Sequence, residues 1–127
     1  MSFDSEVTAA RAVLTAHITA LNARDEAALA STLHFPHFRL SGAELKTWDS
    51  PEQYFADFRA RAGATWARSD FEDVRVLSAS SNKVHFDVRV VRFDKAGAVI
   101  SSFRSLWVIT LEDGIWAAKF RSSFAVA

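Results

Sequence analysis

The stretch Val84-His-Phe-Asp-Val-Arg-Val90 decides the fold, because its apolar and polar side chains alternate without interruption. A period of two predicts a β-strand with one buried face. Farther along the chain, Phe103, Trp107, Ile109 and Leu111 also share one parity. The second half of the chain is therefore predicted to consist of strands.

Turn signals separate these strands at residues 80–83, 95–97 and 113–114. Asp113-Gly114 is a strong signal for a two-residue hairpin. Such short connections make successive strands antiparallel neighbours, and no helix lies between them to form a parallel crossover.

The first half of the chain has a helical period instead. Apolar residues recur at spacings of three and four from Asp4 to about Ala23, which predicts a helix that Asp4 caps. A short second helix is expected from Glu26 to about Thr32, with Asp25 as its cap. A third begins at Ser50-Pro-Glu-Gln53, where serine, proline and glutamine occupy favourable starting positions, and ends near Gly63. Its apolar side carries Tyr54, Phe55, Phe58 and Ala62.

Helices followed by strands predict an α+β fold, and the 127 residues match one domain, residues 1–127, with half of them apolar. Fifteen basic residues balance fifteen acidic ones, so no net field draws the chain toward nucleic acid or an anionic membrane. No apolar stretch reaches membrane-spanning length, and the chain has neither cysteine nor a basic, apolar leader. A cytoplasmic protein is expected.

Motifs for a cofactor or a metal are absent from the sequence. It has no glycine-rich phosphate loop, nucleophile elbow or catalytic triad spacing. His34 and His37 are three residues apart, but they flank a proline and lack a third ligand placed with them. We therefore expect no cofactor and no metal.

The junction Leu21-Asn-Ala-Arg-Asp25, which closes the first predicted helix and opens the second, resembles that of the NTF2-like superfamily. The stretch 33–40, followed by Trp48 and Ser50-Pro51, resembles a branch of small bacterial members without assigned activity. The resemblance implies a SnoaL-like or ketosteroid isomerase-like cone, in which three N-terminal helices pack on a strongly curved antiparallel sheet. It implies a pocket inside that cone, but not a particular reaction, because this scaffold carries unrelated activities.

The resemblance also argues against ketosteroid isomerase activity. Those enzymes use a tyrosine on the first helix, a carboxylate base on a following strand and a protonated aspartate on a later strand. Aligned through residues 21–25, these positions fall on His17, on Ser41, and near Trp107 or Val108. Neither a serine nor an apolar residue can shuttle the proton, so this activity is not expected.

His37 and Arg39 are the candidate catalytic residues. If Ser41 faces the pocket, strand alternation points both of them the same way. A histidine can act as acid or base near neutral pH, and an arginine can hold a carboxylate or an enolate oxygen. In the competing interpretation, His37 ties a turn to a backbone carbonyl and Arg39 pairs with an acid such as Glu44.

Aromatic residues are numerous enough to wall a cavity for a flat or cyclic apolar ligand, although they can equally fill a core. A histidine at position 17, on the apolar side of a helix, is more typical of a core than of a site. The predicted pocket residues are His17, Ser41, Trp48, Tyr54, Phe58, Trp66 and Trp107.

Two functions remain open from the sequence. The first is a pocket that binds a small, largely apolar or cyclic ligand with an anionic or carbonyl group. The alternative is a cofactor-independent isomerase, dehydratase or cyclase in which His37 moves the proton and Arg39 holds the oxyanion.

The outer sheet face is predicted to form a homodimer, because both parities of the late strands carry large apolar residues. Charged residues on neighbouring strands could bind a substrate carboxylate, but they are more typical of cross-strand ion pairs on that face. They include Arg75, Asp87, Arg104, Lys119 and Arg121.

Overall fold

Three helices and six strands make up the described part of the chain, which in this computed structural model comprises residues 2–61 and 65–124. The helices are α1 (Asp4–Ala23), α2 (Glu26–Ala30) and α3 (Pro51–Arg61). The strands are β1 (Leu33–Ser41), β2 (Glu44–Trp48), β3 (Trp66–Ala79), β4 (Lys83–Asp94), β5 (Val99–Glu112) and β6 (Ile115–Ser123). Within these ranges, no helix is both long and apolar enough to cross a membrane.

The helix starts follow the predicted capping pattern at two of three places. The Asp25 carboxylate accepts a hydrogen bond of 3.1 Å from the Ala28 amide, and the Ser50 hydroxyl accepts one of 3.3 Å from the Gln53 amide. Asp4 does not cap α1: Phe3 occupies that position without a side-chain bond, and Asp4 is the first helical residue. There its carboxylate still lies at the positive end of the helix dipole.

The predicted ends of two helices differ from the structure or lie outside it. Helix α2 stops at Ala30 rather than near Thr32, because the Thr32 amide and hydroxyl both turn back to the Leu29 carbonyl. Ala62 and Gly63, expected at the end of α3, lie outside the described residues.

All six strands form one curved sheet in the order β2-β1-β6-β5-β4-β3. Every neighbouring pair is antiparallel except β1 and β6, which run parallel. The predicted antiparallel pairing of successive strands is confirmed, and the parallel pair joins two strands that are not successive in the chain. No short turn joins β1 to β6, so no hairpin constrains their relative direction.

The helices cover one face of the sheet, which we call the inner face, and α1 packs mainly against β3. In β4 the alternation predicted from the sequence holds: Val84, Phe86 and Val88 are completely buried, whereas Arg89 is exposed. This arrangement confirms the α+β fold with N-terminal helices on a curved sheet.

Candidate functional site

A cavity of about 600 Å³ lies between α1, α3 and the inner face of the sheet. This volume is within the range of small-molecule sites. Its wall includes Arg39 and six of the seven predicted pocket residues, namely His17, Ser41, Tyr54, Phe58, Trp66 and Trp107. The cavity wall thus combines side chains that are far apart in the sequence. Arg39 and Ser41 both face it, as the alternation along β1 predicted.

His37 is not part of the cavity wall. Its side chain has no exposed area, and its ring stacks on Trp48 and meets the edge of Tyr54, with centroid distances of 6.0 and 6.1 Å. Nδ1 donates to the Ala118 carbonyl at 3.0 Å. Burial, assisted by Arg121, lowers the pKa of His37 to about 3. His37 therefore does not face the cavity, because the aromatic layer encloses the neutral ring.

Trp48 also lies outside the cavity wall, although it was predicted to belong to it. It is buried, and its indole Nε1 donates to the Asp57 carboxylate at 2.8 Å. The Arg39 guanidinium, which does line the cavity, sits 5.3 Å from the centroid of the Trp48 ring. Trp48 therefore packs against Arg39, which lines the cavity, and does not line the cavity itself.

His17 lines the cavity from α1. Its Nδ1 lies 2.8 Å from the Thr32 hydroxyl oxygen, and its ring meets Trp107 edge-on with a centroid distance of 5.0 Å and stacks parallel to Phe71. Burial, followed by the positive charge of Arg121, holds the pKa of His17 well below its usual value. The ring is therefore neutral at physiological pH.

Arg121 is the wall residue that sequence reasoning missed. Its Nη2 donates to the Tyr54 hydroxyl at 3.1 Å, and its guanidinium lies 5.3 Å from the centroid of Trp107. Within residues 2–61 and 65–124 no carboxylate forms an ion pair with it, and its buried Nε has no hydrogen-bond partner. Arg121 was expected on the outer face, and this prediction is wrong.

A β-bulge explains why Arg121 faces inward. Ile109 pairs with Ala118, but the preceding residue Val108 pairs with Phe120, so β6 contains one extra residue at this point. An extra residue exchanges the two faces for everything beyond it. Phe120 turns outward and Arg121 inward. The stretch 115–123 contains no glycine or proline that would reveal the bulge.

The remaining predicted ion pairs do lie outside the cavity. Arg104 contacts Asp87 at 2.6 Å and Asp73 at 3.2 Å, and Arg75 contacts Asp73 at 2.8 Å. Lys119 pairs with Glu112 at 3.5 Å. Because these pairs are substantially exposed, each contributes little to stability.

Comparison with solved structures identifies the fold. A protein of unknown function with a cystatin-like fold from Nostoc punctiforme PCC 73102 superposes with a TM-score of 0.78 at 10% identity, over 97% of this chain and 92% of that one. An NTF2-like protein from Cytophaga hutchinsonii ATCC 33406 gives 0.69 at 20% identity, over 99% and 100%. The chain has the NTF2-like fold. An NTF2-like protein of unknown function from Shewanella oneidensis MR-1 gives 0.74 at 11% identity, over 93% and 98%.

The other comparisons add no further relationship. No protein-family model matches its sequence, and no curated protein matches it. These structural likenesses, all at low sequence identity, establish the fold and leave function to be argued from the cavity itself.

The charge of the cavity wall is mainly positive. In the described part of this NTF2-like fold, Arg39, Lys46, Arg92 and Arg121 line the cavity, against the single carboxylate of Glu44. No group of three histidine, aspartate or glutamate side chains in the same residues is arranged to hold a metal ion. The site is therefore suited to bind an anionic or electron-rich group among aromatic rings.

Proposed function

We propose that this chain binds a small, largely apolar or cyclic molecule with an anionic or carbonyl group. The observation that carries the proposal is Arg121, a cation in an aromatic wall without a carboxylate partner among the described residues. Arg121 is half-buried, and the part of a charged group that is shielded from water is stabilised by a counter-charge or strong acceptors. An anionic ligand supplies both.

Two buried donors at this place, Arg121 Nε and Trp107 Nε1, have no hydrogen-bond acceptor among the described residues. Trp107 is the direct cross-strand neighbour of Arg121. The Tyr54 hydroxyl accepts a bond from Arg121, which leaves its own proton to be donated. A carboxylate or carbonyl oxygen near these groups accepts hydrogen bonds, while Phe58 and Trp66 cover its apolar part.

Benzoate is a suitable first probe, with benzyl alcohol as its uncharged counterpart. Chemical-shift changes at the Trp107 indole, followed by NMR titration, report binding in the cavity. We expect benzoate to bind more tightly than benzyl alcohol, and Arg121→Met to weaken benzoate binding at least tenfold. Arg89→Met is the matched control, because Arg89 lies on the exposed side of β4. Equal benzoate affinity in wild type and Arg121→Met would refute the proposal, and so would a failure of both benzoate and its ring-hydroxylated derivatives to bind.

A second candidate function is a cofactor-independent isomerase, dehydratase or cyclase. It is supported by the convergence of Arg39, Arg121 and the Tyr54 hydroxyl, which together can hold an oxyanion. His37 was the expected proton shuttle, but its side chain is fully buried. His17 lines the cavity and is therefore the histidine available to a substrate. Its lowered pKa makes it a weak base. Exchange of a bound probe's α-hydrogens in D2O, accelerated by wild type but not by His17→Gln, would favour this candidate.

We propose further that the chain forms a homodimer through the outer sheet face, in the cytoplasm. Phe38, Phe120 and Val108 are direct neighbours on three adjacent strands, and all three are only partly buried. Leu40 and Leu106 continue this apolar patch in the next row. A second copy of the chain can cover the patch symmetrically.

A further inference from the structure

The hydrogen-bonding of Thr32 determines which nitrogen of His17 carries the proton. The Thr32 hydroxyl oxygen lies 2.7 Å from the Leu29 carbonyl oxygen and 2.8 Å from His17 Nδ1. A carbonyl oxygen can only accept, so the single hydroxyl proton is donated to Leu29. Thr32 must then accept at its other contact, and His17 Nδ1 is the donor.

The other ring nitrogen consequently has a lone pair. A neutral imidazole carries one N–H, so Nε2 of His17 is an acceptor. No described residue forms a hydrogen bond with Nε2, and this atom is not among the fully buried unpaired ones. Since His17 lines the cavity, its unshared electron pair is available to whatever occupies that space.

An acceptor at this place has the opposite polarity to the donors that Arg121 and Tyr54 present in the same wall. Arg121 and Tyr54 offer hydrogen atoms, whereas His17 offers a lone pair. His17 and Arg121 both contact the Trp107 ring, with centroid distances of 5.0 and 5.3 Å. One small molecule that spans the Trp107 indole can therefore accept a hydrogen bond from Arg121 and donate one to His17.

We propose that the ligand carries a hydroxyl or N–H group that donates to Nε2 of His17, in the same molecule as the anionic group held near Arg121. A hydroxylated aromatic or cyclic carboxylic acid is the chemical class that meets this requirement. The inference rests on the proposed function, because it specifies the ligand of that same cavity. A methyl ether in place of the hydroxyl has no hydrogen to donate, and its oxygen opposes the lone pair of Nε2.

The proton position is tested first, without any ligand. The ¹⁵N shifts of the histidine rings distinguish a protonated from an unprotonated nitrogen, and His17→Gln assigns the His17 signals. We expect Nδ1 protonated and Nε2 unprotonated at pH 7 in wild type and in Thr32→Ser, and a mixture of tautomers in Thr32→Val. A protonated Nε2 or a tautomer mixture in wild type overturns the inference, and an unchanged single tautomer in Thr32→Val overturns the role of Thr32.

The ligand class is tested with benzoate, its three hydroxy isomers and the corresponding methoxybenzoates. We expect at least one hydroxybenzoate to bind at least tenfold more tightly than its methoxy counterpart and to move the His17 Nε2 signal. That preference is expected to disappear in His17→Phe. If benzoate binds but no hydroxybenzoate exceeds its methoxy counterpart, the donor requirement is overturned and the proposed function stands. If none of the acids binds, the proposed function fails, and the ligand requirement fails with it.

Discussion

At the scale of single residues, His37 and His17 are both buried neutral histidines with opposite relations to the cavity. His37 is enclosed by Trp48 and Tyr54, whereas His17 lines the open space. The alternation of β1 predicted that His37 points inward, and it does. The sequence offered no means of predicting that Trp48 and Tyr54 would close over it, because that depends on how the β1–β2 hairpin meets α3.

His37→Ala is expected to destabilise the fold by about 2–4 kcal/mol, since it leaves a void beside Trp48 and Tyr54 and removes the buried hydrogen bond to the Ala118 carbonyl. Urea unfolding measures the change in the free energy of unfolding. His85→Ala is the matched control, because His85 is only partly buried, and it should cost less than about 1 kcal/mol. Similar losses in both variants would contradict the structural role assigned to His37.

Acid should destabilise the protein before its carboxylates titrate. The pKa of His37 is about 3 in the folded chain and near 6.5 when unfolded, so the unfolded state binds more protons between these values. Stability is therefore complete above about pH 6.5 and falls as pH decreases, by up to about 1.4 kcal/mol per pH unit for each such histidine. The lowered pKa of His17 likewise makes the free energy of unfolding fall as the pH decreases.

Urea unfolding at pH 7.0, 6.0 and 5.0 measures this dependence. Replacing the titratable ring by His37→Phe should reduce the slope by the contribution of one proton, whatever its effect on absolute stability. A slope identical to that of wild type would show that His37 already binds its proton in the folded state.

At the scale of elements, capping could be predicted from the sequence where side chain and backbone are close along the chain. Asp25 and Ser50 cap as expected, since each bond spans only three residues. The bulge in β6 could not be predicted, because it is a property of the pairing between two strands. Because of this bulge, Arg121, the residue on which the proposed function depends, lies on the inner face.

Asp25→Ala should cost about 1 kcal/mol, because it removes the carboxylate that accepts from the Ala28 amide at the start of α2. Asp4→Ala is the natural comparison: it also removes an acid from a helix start, but one that accepts no capping bond there. Only a weaker dipole effect, below about 0.5 kcal/mol at an exposed site, is then lost. Thermal melts of the two variants should rank them in this order, and the reverse order would contradict the assigned caps.

At the scale of the whole molecule, the sequence predicted the α+β fold because the change from helical to strand period is local and strong. The parallel pairing of β1 with β6 was not predictable in the same way, since about 80 residues separate them and no turn links them. This pairing places Arg39 beside Arg121 and Ser41 beside Ser123, all in the cavity wall. The cavity thus depends on the least predictable contact of the sheet.

The outer face gives a prediction for the assembly. Phe120 lies between Phe38 and Val108, at the centre of the apolar patch, so Phe120→Lys places a charge in the middle of the proposed interface. Light scattering coupled to gel filtration should give twice the 14.1 kDa chain mass for wild type and the single mass for the variant. Val99→Lys, a matched charge at an exposed valine beside the β4–β5 hairpin, should remain dimeric. A monomeric wild type would contradict the proposed interface. A folded Phe120→Lys variant that stays dimeric would show that the contact lies elsewhere, because burying a lysine without a partner in an interface is too costly.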